Sequence, residues 1–135
     1  MISKLTITRD YGESVSINVD LPNCEEINLI HTDLEGQGDH DGISTRVQKI
    51  SLPSLVKGVI YVANDESFMY LVDSLPEQKN NTNASLDIYF CNQEINDGRV
   101  VVTRSLSQEL QNELTSKWGT RWTLHNYSES YRVPF

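Results

Sequence analysis

Hydrophobic and polar residues alternate along much of the chain, and a period of two predicts strands with one buried face. Leu5 and Ile7 alternate with Thr6 and Thr8; after the turn-like "RDYGE", Val15, Ile17, Val19 and Leu21 alternate with Ser16, Asn18 and Asp20. The pattern reads as a hairpin. "INLIHTD" and "ISTRVQKISL" predict two further strands around a glycine-rich loop, the second closed by Pro53. "GVIYVA" and "FMYLVDSL" are dense in β-branched and aromatic residues and are joined by "NDES", which predicts a second hairpin covered on both faces. "PEQKNNTNAS" is polar and aperiodic, hence a surface loop. Leu86, Ile88 and Phe90 alternate before "NDG", a strong hairpin turn signal, and Val100, Val101 and Val102 follow it.

The period changes once. Leu106, Leu110, Leu114 and Trp118 recur every four residues, Ser105 and Gln108 form a capping box, and Gly119 supplies the stop, so one helix is expected here. The tail "RWTLHNYSESYRVPF" adds one or two strands, with Trp122 and Leu124 on one face. No internal repeat or coiled coil is visible. About seven or eight strands against one helix predict an α+β fold over residues 1–135 as a single domain. Its sheet is expected to be mainly antiparallel, built of hairpins and covered by the late helix; a mostly-β sandwich or barrel is the alternative.

Composition fits that picture: 135 residues with 38% hydrophobic and 8% aromatic content suffice for one core. There is no signal-peptide pattern at the start and no apolar run of bilayer length, so a cytoplasmic protein that engages no membrane is expected. In that compartment Cys24 and Cys91 read as reduced structural thiols.

Charge changes the picture more. The formal net charge is −8, and between Arg9 and Arg46 there are acids at Asp10, Glu13, Asp20, Glu25, Glu26, Asp33, Glu35, Asp39 and Asp41 with no Lys or Arg. Such a field opposes binding to duplex nucleic acid and attracts basic partners or divalent cations.

The segment "HTDLEGQGDHDG" gathers the densest chemistry. Asp33, Glu35, Asp39 and Asp41 offer oxygen ligands of the kind a hard cation takes, and His31 and His40 with Asp39 or Asp41 offer a set for a borderline metal. The spacing matches neither an EF-hand loop nor a helical His pair, so no cofactor is expected beyond such a divalent metal. Catalytic motifs are equally lacking: neither cysteine lies in an activating turn, no G-x-S-x-G surrounds Ser54 or Ser105, and no phosphate-cradling glycine motif occurs. His125 can serve as a base only if a carboxylate lies beside it.

These features favour a small, acidic, non-enzymatic protein-binding module, an inhibitor, immunity-type or adaptor protein that occupies a basic site on a larger partner. Asp33, Glu35, Asp39 and Asp41 would steer association, and Tyr127, Tyr131 and Phe135 would anchor it. A structural subunit of a larger or self-assembling complex, such as a virus or phage particle component or a homo-oligomer, is the second reading, with "YSESYRVPF" as an exchangeable strand. A metal-dependent enzyme or metal-binding domain centred on residues 31–41 is the third.

Overall fold

The computed structural model describes residues 3–8, 15–30, 33–34, 45–62 and 64–131, of which 8, 15–17, 33–34, 45–48 and 131 are described by backbone alone. Among the described residues, nine strands and two helices follow in the order β1 (Lys4–Thr8), β2 (Val15–Asp20), β3 (Glu26–Ile30), β4 (Asp33–Leu34), β5 (Thr45–Ser51), β6 (Lys57–Val62), α1 (Asp65–Ser74), β7 (Ser85–Asn96), β8 (Arg99–Thr103), α2 (Gln108–Trp118) and β9 (Trp122–Tyr131).

The main sheet overturns the expectation of antiparallel hairpins. β1, β3, β6, β7 and β9 lie side by side and all run parallel. β8 alone runs antiparallel: it pairs with the end of β7, Gln93 to Asn96, beyond the point where β6 stops, so β6 and β8 share one lane. Two of the three expected hairpins are therefore absent. β1 pairs with β3, whereas β2 joins β5 and β4 in a second, three-stranded parallel sheet. Alternation shows which face of a strand is buried and is silent about the direction of its neighbour, which is why the pattern permitted the wrong pairing. The architecture is roughly α/β with a mostly parallel sheet.

The hairpin that does form, β7–β8, is the one with turn chemistry of its own. Asn96 pairs with Arg99, and Asp97 and Gly98 between them both have positive φ, 52° and 80°, as the tight turn that matches strand twist requires.

The segment expected as a strand, "FMYLVDSL", is α1. Asn64 caps it, its Oδ1 accepting from Ser67 N–H at 2.9 Å, and Asp65 and Glu66 fill the first turn. Phe68, Leu71, Val72 and Leu75 then face the core at helical spacing. The expected late helix is present as α2, with Leu114 and Trp118 fully buried and Gly119 (φ 57°) at its end. Its start differs: Ser107 is the cap residue, without a side-chain cap bond, and its N–H donates to Asp65 Oδ1 at 3.1 Å. Lys117 in the last turn of α2 donates to the Val72 and Leu75 carbonyls at 2.7 and 3.2 Å, closing the C-terminus of α1.

Because the parallel strands follow one another in chain order without reversal, each crossover returns on the same side. The three-stranded sheet, α1 and α2 form that side, and Tyr70 of α1 accepts the Ile50 N–H through its hydroxyl at 3.0 Å. One core lies between the layers, from Val19 and Ile50 through Ile27, Ile60, Ile88 and Phe68 to Leu114 and Trp118. Among the described residues no helix is long and apolar enough to cross a membrane.

Candidate functional site

The strands of the main sheet bury every second residue: Ile27 and Leu29 in β3, Ile60 and Val62 in β6, Leu86, Ile88 and Phe90 in β7. The alternate residues point to the opposite face, and among the described residues no element covers it. An all-parallel sheet ordinarily has both faces packed. Here the outward residues form cross-strand rows instead.

One row is Thr6, Asn28, Val59, Asp87 and Thr123, with Asn28 Nδ2 donating to Thr6 Oγ1 at 3.3 Å. The row next to it carries aromatic rings. Tyr61 is in register with Tyr89, and Tyr89 with His125. The Tyr61 and Tyr89 rings stack at 4.8 Å with planes 10° apart, and Tyr89 and His125 stack at 4.5 Å and 15°. Those separations match the spacing of neighbouring strands, so the register itself builds the stack. Tyr127, one step further along the outward side of β9, sets its ring edge-on to Tyr61 at 5.1 Å and 67°.

Asp87 Oδ1 and His125 Nε2 lie 2.9 Å apart, which orients the imidazole. Both side chains are partly exposed, 40% for Asp87 and 37% for His125. Burial pushes the Tyr61 phenol above its usual range, with Tyr89 adding to the effect. Beyond the stack, Arg104 Nη2 bonds Glu94 Oε2 at 2.7 Å. At the opposite end Lys4 Nζ meets Glu26 Oε2 at 2.8 Å and, as the main cause, holds the Glu26 carboxyl below its usual range. The arrangement offers flat aromatic area, phenolic and imidazole hydrogen-bonding groups, and carboxylates.

Of the residues expected from sequence, Tyr127 belongs to this cluster. Tyr131 ends β9 opposite Asn96, and Asp33 lies in β4 opposite Arg46; the side chains of both are outside the described residues. His31, Glu35, Asp39, His40, Asp41 and Phe135 fall outside the described residues altogether. Among the described residues no group of three or more His, Cys, Asp or Glu side chains is placed to hold a metal ion. Cys24 and Cys91 are both buried and unbridged.

Sequence reasoning missed Tyr61, Tyr89 and the Asp87 partner of His125. A signal was present: "IYV" at 60–62 and "IYF" at 88–90 carry a tyrosine at the same place between inward apolar residues, so aligning the two strands brings the rings together. No protein-family model, curated protein or solved structure shows a significant match to this chain.

Proposed function

We propose that this chain is a small acidic protein-binding module, of the inhibitor, immunity or adaptor kind, that docks on a basic site of a larger partner through the open face of its parallel sheet. The observation that carries the reading is the Tyr61–Tyr89–His125 stack with Tyr127 against it, standing on a face that no described element covers. Rigid aromatic groups of this kind dominate protein interfaces, because they present large contact area at small cost in side-chain entropy. Stacking on one another fixes the rings before a partner arrives. The net charge of −8 supplies the complementary field, which raises the association rate with a basic surface more than it lowers the dissociation rate.

The test is capture of partners from source cells on the immobilised protein, at low and high salt, beside Tyr61→Ala, Tyr89→Ala and the surface control Asn112→Ala. One stoichiometric partner, released by salt, kept by the control and weakened by about 2 kcal/mol or more in each tyrosine variant, is expected. Equal retention by the tyrosine variants, or retention indifferent to salt, would overturn the reading.

A further inference from the structure

We infer that the outer edge of β9 is the seat for an extended, basic segment of the partner, which pairs there as an additional strand. The inference rests on the proposed docking face and specifies how a partner engages it.

Among the described residues β9 pairs with β7 alone, along all ten of its residues. Leu86 N–H donates to the Arg121 carbonyl at 2.9 Å. Successive residues of a strand turn their backbone groups to alternate sides, so Thr123 and His125 serve the β7 pairing while Trp122, Leu124 and Asn126 turn their N–H and C=O groups away from it. This half of β9 therefore presents a row of donors and acceptors along the border of the sheet.

Proteins ordinarily defend such a border with shortness, Lys, Pro or a bulge. The other border strands of the main sheet have these defences. β8 is five residues long, begins with Arg99 and bulges at Val101, since Glu94 opposes Val102 while Ile95 opposes Val100. β1 is also five residues long and begins with Lys4. β9, "WTLHNYSESY", contains no Lys, Arg or Pro. Its pairing irregularity is an extra residue in β7, between Cys91 and Gln93, and leaves β9 regular. Among the described residues, the longest border of the main sheet is the undefended one.

The chemistry beside it selects the occupant. His125 is the last ring of the stack: Tyr89 covers one of its faces, and among the described residues no ring covers the other. A residue opposite His125 on an added strand would stand about 4.8 Å further on, the spacing that already separates the stacked rings. A guanidinium at that place stacks on the imidazole, whose Nε2 already lies 2.9 Å from the Asp87 carboxylate. A second copy of this chain would instead carry its own net charge of −8 against the first.

The probe is a capped ten-residue peptide alternating Arg with Thr, compared with its Glu–Thr counterpart, with binding followed by titration and by amide hydrogen exchange. The Arg peptide should bind saturably and slow exchange at Leu124 and Asn126, and the Glu peptide should do neither. Asn126→Pro removes an outward donor without touching the β7 pairing and should weaken binding about tenfold or more, whereas Asn126→Ala stays within about twofold. If Asn126→Pro fails to fold, protection of Leu124 and Asn126 in the unaltered protein decides alone. No binding of the Arg peptide, binding without that protection, full binding by Asn126→Pro, equal binding of the Glu peptide, or protection that grows with protein concentration alone would each overturn the inference. A cellular partner lost by Tyr89→Ala yet fully kept by Asn126→Pro would remove the strand seat and leave the docking face standing; a partner untouched by either would remove both.

Discussion

Gly58 stands on the inward side of β6, where a methyl group has no room: a Cβ there would lie 2.9 Å from the Ile27 carbonyl oxygen and 3.3 Å from Leu86 Cδ1. Gly58→Ala should therefore cost about 2 kcal/mol through displaced packing, measurable by urea unfolding; an unchanged midpoint would mean the lanes can spread. The cysteines make a second case at this scale. Burial pushes the thiols of both Cys24 and Cys91 upward, for Cys91 with Glu129 adding to it, so the reactive thiolate forms only at higher pH than in an unfolded chain. Iodoacetamide at pH 8 should leave both unmodified in the folded protein and label both in denaturant; rapid labelling of the folded form would contradict their burial. The burial of both cysteines was legible in the sequence, because a free cysteine packs as a small apolar residue. The Tyr61–Tyr89–His125 stack was not, because it depends on which strands become neighbours.

At the scale of elements, α1 shows where periodicity is ambiguous. Phe68 to Val72 is a continuous apolar run, which suits a buried strand as well as a helix. The decision lies just upstream, in Asn64 followed by Asp65 and Glu66, residues whose composition suits a hairpin turn equally well. Asn64→Ala removes the acceptor for both the Ser67 N–H and its hydroxyl and should destabilise the protein by about 1 kcal/mol in thermal or urea unfolding. A neutral outcome would show that packing alone holds α1. By contrast α2 and the β7–β8 hairpin were readable, since Gly119 and the Asp97–Gly98 pair need conformations that few other residues adopt. A parallel crossover has no comparable local mark.

For the whole molecule the governing fact is the unbroken lane order β1, β3, β6, β7, β9, with one layer of crossovers behind it. No period in the sequence announces this winding, because the crossovers differ: strands for the early turns, helices for the later ones. Protection should follow position in the stack of lanes. Amide exchange is expected to be slowest at Ile60 and Ile88, flanked by pairing on both sides, and faster in β1 and β8; uniform protection would instead indicate all-or-none opening.

That lane order also bears on how such a chain can change over generations. Each turn of the winding touches mainly the turns before and after it, so a duplicated turn spliced between β6 and β7 would meet a strand on each side and a crossover layer behind it, with no existing connection rerouted. A fold whose strands were interleaved in space would have to be rebuilt to admit the same insertion. Growth by whole turns is thus the easiest path of divergence open to this architecture, and it would widen the aromatic face one lane at a time.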